Sequence, residues 1–110
     1  MSNKYFRKQL IPDAATETTI YTVPQANTGI IRSLRVTNGN AAAAAITVTQ
    51  YVSGSATTHY LQKDRSLGVN GTYDVFNGVP CILEAGDVLK VTASVATVHF
   101  YLSYLESDRS

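Results

Sequence analysis

Thirteen threonines, eleven valines and six isoleucines are spread through this chain of 110 residues, and they leave little from which to build a helix. Branching at Cβ stiffens the first side-chain torsion, which is a slight handicap in a helix and an advantage on a pleated, half-buried sheet. Turn-forming residues recur roughly every eight to twelve positions, the rhythm of an all-β sandwich or barrel. The one helix-prone stretch is five consecutive alanines at 41–45. It is too short for a stable helix and runs straight into Ile46-Thr47-Val48-Thr49, so it reads as a loop or strand start. The length suits a single domain with a modest core, of the kind often helped by an oligomer or a partner. The expected fold is an all-β, antiparallel β-sandwich of about seven or eight strands, jelly-roll or Ig-like, with an extended N-terminal arm.

The expected arm is 1–17, the sandwich 18–106 and a polar tail 107–110. In the arm, Lys4, Arg7 and Lys8 surround Tyr5 and Phe6, and Leu10-Ile11-Pro12 follow without a clean period. Tyr5, Phe6, Leu10 and Ile11 are too apolar for free solution, so the arm is expected to dock on this subunit or on a neighbour. Strands are expected at 18–23, 30–37, 46–52, 58–63, 72–76, 79–83, 88–94 and 97–105. Pro24, Asn38-Gly39-Asn40, Ser53-Gly54-Ser55, Asn77-Gly78 and Glu84-Ala85-Gly86-Asp87 punctuate them. The polar stretch 58–63 suits an edge, and 64–71 is expected as a connection with Leu67 and Val69 tucked in. A period of two places Val98, Phe100, Leu102 and Tyr104 inward, and His99, Tyr101, Ser103 and Leu105 outward. By the same phase Leu89, Val91, Ala93, Ile46 and Val48 point in, while Thr47, Thr49 and Tyr51 point out.

Charged residues make up 15% of the chain, below the usual share of about 25%. A sheet with so few charges on its faces and edges risks pairing with other chains, which suggests a surface covered by neighbours. The net charge of +1 lacks the footprint of a nucleic-acid binder. Three cations in the arm fit docking on protein better than binding nucleic acid, with Tyr5 and Phe6 as anchors. No apolar run is long enough to span a membrane, and the first residues lack a signal peptide's pattern, so synthesis in the cytoplasm is expected.

Site chemistry is sparse. His59 and His99 read as surface or interface histidines, with no spacing that fixes a metal. Glu84 and Asp87 sit in a tight turn and serve its geometry. Cys81, between Pro80 and Ile82, reads as a buried, inert thiol. No catalytic residue, cofactor or metal ligand is expected. Arg32 shares the parity of Leu34 and Val36, so it needs a bulge, a carboxylate partner at the rim or a neighbouring subunit. Tyr51 and Tyr101, with Tyr21 as a third candidate, are plausible contact anchors.

Two stretches carry a resemblance. Thr19-Ile20-Tyr21-Thr22-Val23-Pro24 with Gly29-Ile30-Ile31-Arg32-Ser33-Leu34-Arg35-Val36-Thr37-Asn38 is one. Leu83-Glu84-Ala85-Gly86-Asp87-Val88-Leu89-Lys90-Val91-Thr92-Ala93, with the closing Tyr104-Leu105-Glu106, is the other. Together they resemble small virion proteins of tailed bacteriophages over residues 18–106, without the arm. The resemblance implies a non-enzymatic structural protein of the virion, above all a capsid decoration (cement) protein. Its partners would be the major capsid protein or other virion subunits, and it would form a homo-oligomer, a dimer or trimer. The interface candidates are Lys4, Tyr5, Phe6, Arg7, Lys8, Arg32, Tyr51 and Tyr101. The alternatives are a head–tail, tail or fibre component and a carbohydrate-binding module. The module would use Tyr51 and Tyr101 as platforms in the absence of Trp.

Overall fold

Nine strands and no helix form among residues 3–77 and 79–108, the part of the chain that the computed structural model describes. Gly78 of the Asn77-Gly78 turn, and Arg109 and Ser110 of the expected tail, lie outside the described residues. The strands are β1 (Asn3–Leu10), β2 (Thr18–Thr22), β3 (Asn27–Asn38), β4 (Ala44–Val52), β5 (Thr57–Leu67), β6 (Thr72–Asp74), β7 (Cys81–Leu83), β8 (Val88–Ala93) and β9 (Val98–Asp108).

Their pairing is nested and antiparallel throughout. β1 pairs with β9, β2 with β8, β3 with β6 and β7, and β4 with β5. This is one long hairpin, rolled so that β9 also lies against β3 and β8 against β4. The result is a five-stranded sheet, β1-β9-β3 with β6 and β7 sharing the far side of β3, packed on a four-stranded sheet, β2-β8-β4-β5. Counted as one interrupted strand, β6 and β7 bring the total to the eight strands of a jelly roll. The sandwich expected from the sequence is therefore present, and its winding is that of a jelly roll rather than an Ig-like fold.

The core lies between the sheets and follows the period of two. Val98, Phe100, Leu102 and Tyr104 of β9, Leu89, Val91 and Ala93 of β8, and Ile46 and Val48 of β4 are all buried. Each fully buried side chain of this size is worth about 1.5–3 kcal/mol of transfer free energy. β4 starts at Ala44, so the alanine run is loop and then strand.

Bulges set the places where the simple parity fails. In β3 the register against β9 shifts between Ile31 and Ser33. Ile31 and Leu34 are both fully buried although they are three positions apart, and the extra residue, Arg32, is exposed. In β2 a shift between Thr19 and Tyr21 turns both Ile20 and Tyr21 inward. Tyr21 is thus a core residue, 2% exposed, and not the contact anchor its sequence neighbourhood suggested. Its ring lies over Gly29, where an added Cβ would come within 2.9 Å of it.

Two further expectations are corrected. The stretch 64–67 continues β5 instead of leaving it as a connection. Register shifts between Ile46 and Thr49, with Asp64 at φ 49°, let the ladder resume through Arg65, Ser66 and Leu67. Leu67 is buried as expected, but Val69 is half exposed because it sits at the tip of the turn beyond β5. β5 is the edge strand its polar composition suggested, and its bulges and charges protect that edge from unwanted pairing.

Buried polar side chains tie the corners. Asn38 Nδ2 donates to the carbonyls of Ala42, Leu67 and Gly68, and its Oδ1 accepts from Asn40 N. Asp87, 4% exposed, accepts from the backbone N–H of Glu84 and Ser53 and from Gln50 Nε2. Beside it Gly86 adopts φ 84°, which suits glycine. The Glu84–Asp87 turn therefore joins the ends of β7, β8 and β4, the geometric role read from its sequence.

Candidate interaction surfaces

Residues paired directly across neighbouring strands point to the same face. On the outside of the five-stranded sheet, Tyr5 of β1 is opposite Leu105 of β9, Leu105 is opposite Ile30 of β3, and Ile30 is opposite Ile82 of β7. These four side chains form one apolar row across the whole width of the sheet. Its two ends are open to solvent, Tyr5 at 73% and Ile82 at 55% exposed, while Leu105 in the middle is covered by its neighbours. Val79, just before β7, is also exposed.

The flank of this row is basic. Arg7 is opposite Ser103, Arg35 is opposite Tyr101 and Asp74, and Arg32 is exposed at the bulge. Arg35 lies over the Tyr101 ring at 5.7 Å, a weak attraction at an exposed site. The rim pairing considered for Arg32 is not formed: the ion pair among the described residues is Lys90 with Glu17, at 3.8 Å. A bulge, and not a carboxylate, accounts for where Arg32 points.

The leading stretch is extended, and its extension is that of an edge strand, paired residue by residue with β9 from Asn3↔Ser107 to Leu10↔Phe100. The strand divides its candidate residues between two sides. Tyr5 and Arg7 stand on the outer face. Lys4, Phe6 and Lys8 have the opposite parity and lie along the sandwich opening. Phe6 stacks on Tyr104 with ring centroids 5.4 Å apart, and Lys8 Nζ lies 5.7 Å above the Tyr21 ring. Beneath them Tyr21 Oη donates to Glu106 Oε2 at 2.7 Å, and Asn27 Nδ2 donates to Oε1 at 3.3 Å. Burial, and then the bond to Glu106, push the Tyr21 phenol far above its ordinary range; burial also raises Tyr104. Glu106, at the end of the closing strand, is thus anchored inside the fold.

The outer face of the four-stranded sheet is built differently. Its rows read Thr19, Lys90, Thr49, Tyr60 and then Thr92, Thr47, with Val88, Tyr51 and Thr58 beside them. Tyr51 stands here, on the side opposite Tyr101, so the two tyrosines cannot form one platform. Of the sequence candidates, Tyr5, Arg7, Arg32 and Tyr101 share a face; Tyr51 lies on the opposite sheet. Leu105, Ile30, Ile82 and Arg35 were missed, because their alignment depends on register between distant strands. The visible hint was Leu105, an apolar residue in the outward phase of β9.

Among the described residues no three His, Cys, Asp or Glu side chains are grouped to hold a metal. His59 and His99 are exposed, and burial pushes the half-buried Cys81 thiol up, away from its reactive form. Among the described residues no helix is long and apolar enough to cross a membrane.

No family model and no curated protein matches this chain in sequence. Solved structures do match in shape. A protein of Bacillus endospore appendages, described as a family of disulfide-linked pili, superposes with a TM-score of 0.61 at 11% identity, over 99% of this chain and 88% of its own. A chain of the T13 particle of infectious bursal disease virus superposes at 0.58 with 9% identity, over 94% of this chain and 30% of its own. The VP2 subviral particle of the same virus gives 0.56 and 12%, over 94% and 32%. This chain thus spans about a third of those viral chains. At such identities the likeness is one of fold, a sandwich shared by subunits of viral shells and of a pilus.

Proposed function

We propose that this chain is a non-enzymatic structural protein of a virion, a capsid decoration (cement) protein that binds neighbouring major capsid subunits. Contact runs through the outer face of the five-stranded sheet and its edge strand β1. The observation that carries this reading is the apolar row Tyr5–Leu105–Ile30–Ile82, which crosses an entire sheet face and is left open at both ends. The chain gains nothing by holding Tyr5, Ile82 and Val79 in water, whereas an apolar patch with a polar rim is the usual anatomy of a docking surface. Arg7, Arg32 and Arg35 beside the row favour a partner that presents carboxylates around an apolar ridge. A standard interface of about 800 Å² on each partner would cover the row and its flank, and repeated copies on a shell would add avidity. A homo-dimer or trimer sharing this face is compatible with the same surface. The fold's occurrence in viral shell proteins supports the placement, and no nucleic acid or membrane is needed for it.

A second reading, a tail or fibre component, is favoured by the pilus protein, whose own chain is matched almost from end to end. One experiment separates the two. Antibody against the purified protein, carried on gold, is applied to intact particles from the source culture. Label over the shell is the expected result, and label on the tail supports the second reading. Particles without label overturn both.

A further inference from the structure

The outer face of the four-stranded sheet holds a groove of about 400 Å³, lined by Glu17, Thr47, Thr49, Thr58, Tyr60 and Thr92. That is within the range of small-ligand sites, about 300–1,000 Å³. Four of the six residues are threonines on adjacent strands, so the floor is a lattice of hydroxyl and methyl groups. Tyr60 belongs to the edge strand and is 61% exposed; Lys63 Nζ lies over one face of its ring, 4.9 Å from the centroid, which leaves the other face as the aromatic surface a ligand could meet. At the opposite rim Glu17 is paired with Lys90, so the two charges offset each other and the groove carries no net charge.

Thr49 is the informative residue. It stands in the floor between its register partners Lys90 and Tyr60, and it is 5% exposed. Its Oγ1 is buried and makes no hydrogen bond. A buried hydroxyl without a partner is unfavourable, so folded proteins seldom keep one without a use. The neighbouring Thr47 illustrates the ordinary outcome: its Oγ1 accepts from Asp64 N and donates to Asp64 Oδ1. A change of χ1 rotamer is the movement by which this hydroxyl would reach a ligand in the groove.

We infer that this groove is a binding site for a neutral saccharide. A pyranose has one face of C–H groups, which suits the Tyr60 ring, and a rim of hydroxyls, which suits threonine hydroxyls and the Glu17 carboxylate. The lack of net charge disfavours phosphates and uronic acids. Tyr60, and not Tyr51 or Tyr101, is the aromatic platform, and Thr49 receives from the sugar the hydrogen bond it lacks. The site lies on the sheet opposite the apolar row, so it stands or falls independently of shell docking.

The test is an amide-resolved NMR titration of the full chain with a panel of neutral trisaccharides: maltotriose, cellotriose, triacetylchitotriose and a galactotriose. At millimolar concentration at least one should give saturable shifts confined to residues 47–49, 58–60 and 90–92. Tyr60→Ala should weaken that binding by about tenfold or more, and Tyr101→Ala should leave it unchanged. Thr49→Val, which keeps the shape and removes the unpaired hydroxyl, should weaken binding while melting no earlier than the wild type. Absence of shifts with the whole panel overturns the inference. So does binding that is insensitive to both Tyr60→Ala and Thr49→Val.

Discussion

Sheet by sheet, the residues that face away from the core differ in ways the core does not dictate. On the five-stranded sheet Tyr5, Leu105, Ile30 and Ile82 line up in one apolar row with arginines beside it. On the four-stranded sheet the corresponding positions are Thr19, Lys90, Thr49 and Tyr60, followed by Thr92 and Thr47. Both faces obey the same alternation and enclose the same core. Apart from the buried Thr49, a threonine-rich face is comfortable in water, where an exposed hydroxyl finds a partner; an apolar row with open ends is not. In the proposed assembly, the difference marks the five-stranded sheet as the side that would be covered by protein.

The largest effect should separate the two sides of one strand. Ile31 and Ile30 are neighbours in β3, the first fully buried in the core and the second in the outer row. Ile31→Ala should cost about 2–5 kcal/mol in urea unfolding, and Ile30→Ala about 1 kcal/mol or less. Equal losses would make the outer row part of the protomer's own core and erase the contrast.

Next comes association. Ile82→Asp and Tyr5→Asp place charge at the exposed ends of the row, and each should weaken co-sedimentation with shells by at least about tenfold. Thr92→Asp on the other sheet should not. The melting temperature of the first two should stay within a few degrees of the wild type, since both side chains are mostly in solvent. Point substitution is the cleaner test here. Deleting the leading residues would also strip β9 of one of its two ladders and uncover Tyr104, confusing binding with folding.

Much of this architecture was legible because alternation is a local property. The inward phase of β8 and β9, the edge character of β5 and the Glu84–Asp87 turn could all be read from neighbouring residues. The outward position of Arg32 required a bulge, and the bulge could be named as one of several ways to place it. Register between strands far apart in sequence could not be read. The apolar row joins residues 5, 30, 82 and 105, and nothing in any one segment announces that they meet. Tyr21 was misplaced for a related reason: a one-residue slip in β2 moves a side chain to the other face. The threonine groove was equally hidden, since Thr49 and Tyr60 become neighbours only through pairing across the bulges of β4 and β5.

A smaller effect should come from salt. If arginines beside the row meet carboxylates, raising the ionic strength slows association several-fold, and Arg32→Ser reduces that dependence. Stopped-flow or surface-capture rates would read it; salt-independent association would remove the arginines from the docking surface.

The smallest effect belongs to neither face. Tyr21 and Tyr104 hold their protons above the ordinary phenol value of 10.0, chiefly because they are buried. The unfolded chain releases those protons near that value and the folded chain does not. The stabilisation is therefore complete below about pH 10 and declines as the pH rises beyond it. Melting temperatures across pH 8–11 should fall at the alkaline end, and less steeply in Tyr21→Phe. An equal fall in the variant would show that Tyr21 is not the group responsible.

The contrast between the faces is tested most directly by hydroxyl-radical footprinting of the protein, free and in intact particles, read by mass spectrometry at Tyr5, Ile82 and Tyr60. Protection of Tyr5 and Ile82 on assembly, with Tyr60 still reactive, is the expected result. Tyr5 and Ile82 reacting as readily in the particle as in free solution would contradict it.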